Sequence, residues 1–311
     1  MKARSIPVSV LPIAAVERDT GLSKDTLRVW ERRYGFPQPG RDTKGERVYP
    51  QDQVDKLRLL KRLMDQGHRP GKIAGCSMEQ LHALGAAGTD GRAGAGAVPQ
   101  PDETLRAFLQ MIKAHRVDDL RRDLARLTVK VGLARFVTEV IAPLTTLVGA
   151  GWARGEIAIF EEHLYTESVQ AVLRNAIASI PHPGDTPRVL LTSIPQEPHG
   201  LGLLMAETMF ALDGARCISL GVCTPVMEIV RGAVSQKVDL VALSFSPVVN
   251  PYQVGESLKQ LRAQLPPRIE LWAGGTSPVL RRRPPAGVRV FADLADVGPA
   301  LAAWRVKRRA R

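Results

Sequence analysis

The residues best suited to chemistry form one short motif, Gln196-Glu197-Pro198-His199-Gly200-Leu201-Gly202. It follows an apolar segment, Arg188 to Thr192, that reads as the first strand of a parallel sheet. Ligands of such sheets bind beyond the carboxyl ends of the strands, which is where this loop falls. A metal-bound imidazole needs an acceptor on its other ring nitrogen, and Glu197 stands two residues before His199 to serve as one. Gly202 opens the next helix and lets it pack close to a large ligand. Alone, Glu-x-His-x-x-Gly is a weak signal, because a single loop histidine is more often structural or exposed.

Spacing strengthens it. From Leu203 to Leu243 there are 41 residues, followed by Ser244-Phe245-Ser246 at the end of the third strand. Pro247 to Ala273 adds 27 residues, and Gly274-Gly275 ends the fourth. A second group precedes these: Trp152, nine residues from Ala153 to Glu161, then Glu162-His163.

The elements that must position these groups alternate. After Arg188–Thr192 the pattern gives a helix at 200–212, a strand at 215–220 and a helix at 225–235. A strand at 239–244, a helix at 252–265, strands at 269–273 and 288–291 and a helix at 297–306 follow. That order indicates a Rossmann-like parallel sheet with helices on both faces, over 187–306. Residues 101–182 carry apolar positions at helical spacing, such as Leu105, Phe108, Leu109 and Ile112, and read as a four-helix bundle. The Gly- and Ala-rich stretch 84–100 reads as a flexible linker, and 307–311 as a solvated basic tail.

Residues 1–83 read as a helix-turn-helix with a small β wing. Ile13 to Arg18 is a short helix, Thr20-Gly21-Leu22 a tight turn, and Ser23 the N-cap of a basic helix with Leu27 and Trp30 facing inward. The hairpin after it carries Arg41, Lys44 and Arg47, and a helix with Leu57, Leu60 and Leu63 on its buried side runs from Gln51 to Met64. Lys24, Arg28, Arg32 and Arg33 on the second helix, with Arg41, Lys44, Arg47 and Tyr49 on the wing, are the candidates for contact with double-stranded DNA.

Composition agrees. The 43 basic residues against 31 acidic give a formal charge of +12, a field that attracts polyanions. Three cysteines without metal-ligand spacing make disulfides and zinc sites unexpected and fit a reducing cytoplasm. No signal peptide and no run of about 20 apolar residues is apparent, so no membrane span is expected.

The N-terminal features, Ile13-Ala-Ala-Val, Gly21-Leu22-Ser23, Thr26-Leu27-Arg28, Trp30-Glu31, Gly40-Arg41 and Arg47-Val48-Tyr49 before Asp52 and Leu57, resemble the MerR family of transcription regulators. That resemblance implies DNA contact by Arg28 and its neighbours, with Arg47 and Tyr49 holding the wing. The C-terminal set resembles the cobalamin-binding module of methionine synthase and the corrinoid mutases. It implies His199 as lower axial ligand to cobalt, with Ser244 and Ser246, Gly274 and Gly275 around the cofactor's dimethylbenzimidazole tail. Ser246 stands where that motif usually has Leu. The Trp and Glu-His pair resemble the helical cap of light-responsive MerR-type regulators that bind adenosylcobalamin, implying that Trp152, Glu162 and His163 sit against the upper ligand. Ala153 stands where those sensors carry a histidine. The implied function is a ligand-gated repressor, a homo-oligomer (dimer or tetramer) and not an enzyme. A regulator of the same architecture that is independent of cobalamin, or senses another ligand, is the alternative.

Overall fold

The computed structural model describes residues 10–43, 45–65, 68–84, 102–181, 186–282 and 285–309. Lys44 and the linker proper lie outside them. The chain divides into two compact units, Met1–Gly94 and Ala95–Arg311.

In the first unit β1 (Val10–Pro12) leads directly into α1 (Ile13–Thr20). Gly21, at φ 69°, ends that helix in the left-handed region, where glycine carries no Cβ penalty. The Ser23 hydroxyl then accepts the Thr26 amide and starts α2 (Lys24–Tyr34). β2 (Gly40–Arg41) and β3 (Arg47–Pro50) form the wing hairpin, and β1 pairs with the other edge of β3, a strand not apparent in the sequence. α3 (Gln51–Asp65), α4 (Pro70–Ile73) and α5 (residues 78–84) complete the unit. Its core is Val16, Leu22, Leu27, Trp30, Val54, Leu57, Leu60 and Leu63. Burying each large apolar side chain contributes about 1.5–3 kcal/mol, so Leu27 and Trp30 seat α2 firmly with its charged faces outward.

The second unit begins with four helical stretches. α6 (Glu103–Lys113) is capped by Asp102, and α7 (Val117–Val131) ends at Gly132. Then α8 (Leu133–Arg135), a π-helical turn (Phe136–Ile141) and α9 (Ala142–Ala153) run on continuously, followed by α10 (Ile159–Ala178). The segment Leu133–Ala153 has 21 residues and is long and apolar enough to cross a membrane by length and composition, although Arg135 and Glu139 interrupt it. Its Phe136, Val137, Ile141, Leu144 and Val148 are buried in the bundle core.

The parallel sheet has the order β5-β4-β6-β7-β8, with β4 (Arg188–Thr192), β5 (Arg216–Gly221), β6 (Leu240–Phe245), β7 (Glu270–Gly275) and β8 (Val288–Phe291). Side chains alternate between two cores, as a period of two requires. Val189, Leu191, Leu240, Ala242 and Trp272 face α11 (Leu201–Leu212) and α15 (Val297–Arg309). Leu190, Val241, Leu243, Leu271 and Ala273 face α12 (Val226–Ser235), α13 (Pro251–Gln264) and α14 (Pro278–Arg282). The bundle shares the first of these cores, so bundle and sheet are one packed body rather than two separate parts.

The expected basic tail is largely helix. α15 continues to Arg309, because the Arg308 guanidinium pairs with Asp239 and lies 5.0 Å from the Trp304 ring centroid. Residues 310 and 311 lie outside the described residues.

Candidate functional site

From β4 the chain steps one way to β5 and the other way to β6, so the crevice between the ends of β4 and β6 is the topological switch point of the sheet. The loop carrying Glu197 and His199 leaves β4 there. Glu197 is wholly buried. Its Oε1 accepts the His199 amide at 3.0 Å and lies 2.6 Å from His199 Nδ1, while its Oε2 accepts the Ser246 amide at 2.6 Å from the end of β6.

Burial pushes the Glu197 carboxyl up, but the bonds from His199, the charge on that ring and the two amides more than offset it, and the group ends below the ordinary range. An ionised carboxylate only accepts, so the proton between the two side chains belongs to Nδ1. With Nδ1 engaged by the carboxylate, Nε2 is the ring nitrogen left to meet a metal. That atom has no protein partner among the described residues, on a side chain that is 54% exposed.

Among the described residues no three His, Cys, Asp or Glu side chains converge to hold a bare metal ion. A single oriented imidazole suits a metal that brings its other ligands with it, as cobalt in a corrin ring does. The buried Ser277 hydroxyl, just past the end of β7, has no hydrogen-bond partner among the described residues. These residues fit the cofactor implied by the sequence.

The remaining candidates fall out unevenly. A Cβ on Gly202 would lie 2.6 Å from Ser244 Oγ, so this glycine makes room for the Ser244 hydroxyl. Gly275, at φ 111°, would place a Cβ 2.1 Å from the Phe245 carbonyl oxygen; it allows the ends of β6 and β7 to close up. Gly274 has only an ordinary contact, with Phe291. The Ser246 hydroxyl accepts the Val248 amide at 3.3 Å.

On the bundle, Trp152 is partly buried against the shared core. Glu162 accepts from Thr166 at 2.7 Å and bonds His163 Nδ1 at 2.6 Å, leaving the His163 ring exposed at the start of α10. Sequence reasoning missed the neighbouring pair, in which His115 Nε2 lies 3.0 Å from Glu161 Oε1 while Glu161 Oε2 accepts the Ala158 amide at 2.7 Å. The partners are 46 residues apart, and no local pattern signals them.

In the first unit Arg28, Arg32, Arg33 and Arg41 are exposed. Lys24 lies 3.6 Å from Glu17, Arg28 3.2 Å from Asp25, and Arg41 donates to the Gly45 carbonyl at 2.7 Å. Arg47 bonds Glu31 at 2.8 Å, tying the wing to α2. Tyr49, expected at the DNA surface, is instead wholly buried, because the alternation of β3 turns it into the core.

The matches to known proteins agree with this division. The MerR HTH family regulatory protein pattern matches residues 11–76, and the B12 binding domain pattern matches 102–176. The chain is 30% identical over 260 residues to the HTH-type transcriptional repressor CarH of Myxococcus xanthus, covering 83% of this chain and 86% of that protein. It is 27% identical to the repressor CarA of the same organism, over 82% of this chain and 84% of the relative. Among solved structures, a Methanosarcina barkeri monomethylamine corrinoid protein superposes with a TM-score of 0.51 at 16% identity, covering 63% of this chain and 96% of that one. At that identity the likeness concerns the fold alone.

Fold and matches together define a DNA-binding transcription regulator of the MerR type with a B12-binding domain. Its relatives are regulators rather than enzymes. The chain belongs to the family of CarH, the MerR-type transcriptional repressors with a B12-binding domain.

Proposed function

We propose that this protein is a cytoplasmic repressor whose grip on its operator depends on bound adenosylcobalamin, with light as the signal that releases it. The observation that carries the reading is the Glu197–His199 pair at the switch point, with Nδ1 fixed and Nε2 turned outward. When bound, adenosylcobalamin would supply a metal able to accept an imidazole nitrogen and a light-labile bond from that metal to carbon.

The chain's own residues do the rest. His199 presents Nε2 to the metal, and Glu197 orients the ring and raises its basicity. Ser244, Ser246, Gly274 and Gly275 frame the strand ends where the nucleotide tail enters, with Gly202 making room for Ser244. Trp152, Glu162 and His163 form the bundle's contribution to the upper side. Arg28, Arg32, Arg33 and Arg41, with Lys24 and Lys44, bind DNA, and Arg47 braces the wing.

Bound cofactor favours a homo-oligomer built from dimers, and several winged helices then engage one operator together. The cofactor shifts this equilibrium only by binding the two arrangements unequally. A gel-shift assay on operator DNA tests the reading. Adenosylcobalamin in the dark is expected to tighten binding at least tenfold, and illumination to abolish the gain. Equal affinity with and without the cofactor, in dark and light, contradicts it and favours a regulator independent of cobalamin.

A further inference from the structure

Ser193, the first residue after β4, is wholly buried. Its hydroxyl donates to the Glu197 main-chain carbonyl at 2.5 Å and accepts the Cys223 amide at 2.9 Å. Its own carbonyl accepts the Thr224 amide at 3.0 Å. The Thr192 hydroxyl beside it lies 3.0 Å from the Gly221 carbonyl oxygen and 2.7 Å from the Thr224 hydroxyl. One buried Thr-Ser pair thus fastens the loop after β5 to the loop after β4.

The fastening is specific. A buried hydroxyl is costly unless its bonds are made, and this one both donates and accepts. Cys223 sits at φ 59°, a left-handed conformation that a side-chain-bearing residue adopts only when other contacts hold it there, and in it the amide meets Ser193. Glu197 is therefore held from two sides, its carbonyl by Ser193 and its carboxylate by the Ser246 amide. Between those two grips the carboxylate meets the imidazole.

We propose that Ser193 is a positioning residue for His199: it sets the Glu197 backbone so that the carboxylate lies where it accepts a hydrogen bond from His199 Nδ1–H, which leaves Nε2 as the metal-facing nitrogen. The inference rests on the reading of His199 as the metal-binding imidazole. The Glu-x-His-x-x-Gly pattern itself does not include this serine.

The test uses the full-length protein without cofactor. Nitrogen-15 NMR of labelled histidine near neutral pH reads the His199 tautomer, with the signal assigned by its loss in His199→Ala. The wild type is expected to hold the proton on Nδ1 alone. Ser193→Ala is expected to show both tautomers and to bind hydroxocobalamin about tenfold more weakly in an absorption titration. A folded Ser193→Ala with one tautomer and affinity within about twofold of wild type overturns the proposal. If that variant does not fold, amide exchange in the wild type decides. The Cys223 amide should exchange about 100-fold slower than an open loop amide, and free exchange there overturns the proposal too. Unchanged cobalamin binding in His199→Ala would sink the metal-ligand reading instead, while the tautomer measured without cofactor still judges Ser193.

Discussion

The Glu197 carboxylate accepts the Ser246 amide at 2.6 Å across 49 residues of sequence, joining the loop after β4 to the end of β6. The contact is to backbone, so it does not depend on the side chain at 246. Serine in place of the usual leucine therefore leaves the Glu197–His199 pair intact.

That carboxylate serves three donors, the His199 amide and Nδ1 on one oxygen and the Ser246 amide on the other, and a carboxamide keeps an acceptor on one side only. Glu197→Gln is expected to weaken cobalamin binding about 10- to 100-fold in an absorption titration. It also has a pH signature. The folded carboxyl titrates below its unfolded value, so its stabilisation is complete above the ordinary glutamate pKa of about 4.3. It is lost as pH falls through the lower folded value. Urea midpoints measured downward from pH 6 should fall less steeply in Glu197→Gln than in wild type.

Gly275 tests the sheet edge. In Gly275→Ala the new methyl meets the Phe245 carbonyl oxygen in a region of φ that favours glycine. The cost should be about 2–3 kcal/mol of unfolding free energy for the second unit, read by denaturant titration. A loss under about 0.5 kcal/mol would mean that β6 and β7 do not close as described.

Gly202 and Ser244 should be coupled. Gly202→Ala places a methyl on the Ser244 hydroxyl, whereas Gly202→Ala with Ser244→Ala relieves the clash. A double-mutant cycle on stability should return a favourable coupling of about 1 kcal/mol. Additive effects would separate the two residues.

The first unit divides its arginines by role. Arg28→Ala, on the exposed face of α2, should cost about 1–3 kcal/mol of operator affinity with the melting temperature unchanged. Arg47→Ala should lower the melting temperature as well, because its guanidinium holds Glu31 across the wing. Identical profiles for the two variants would contradict the assignment.

Much of this was legible in the residues. Ser23 announces α2, the alternation of Val189, Leu190 and Leu191 announces a strand covered on both faces, and the spacing from His199 to Ser244 to Gly274 fixes the strand ends. What escaped depends on contacts between distant positions. Tyr49 reads as a surface residue until the pairing of β3 with β1 and β2 sets which face is inward. Arg308 reads as a tail until Asp239 is placed beside it. Ser193 lies outside every motif, since its partners are main-chain atoms that carry no residue signature.

The most direct measurement is the absorption spectrum of the protein reconstituted with adenosylcobalamin in the dark, for wild type and His199→Ala. The wild type should retain about one corrinoid per chain with a spectrum distinct from free cofactor. His199→Ala should bind at least tenfold more weakly and lose that spectrum. A colourless wild type, or a variant that matches it in colour and affinity, would contradict the account.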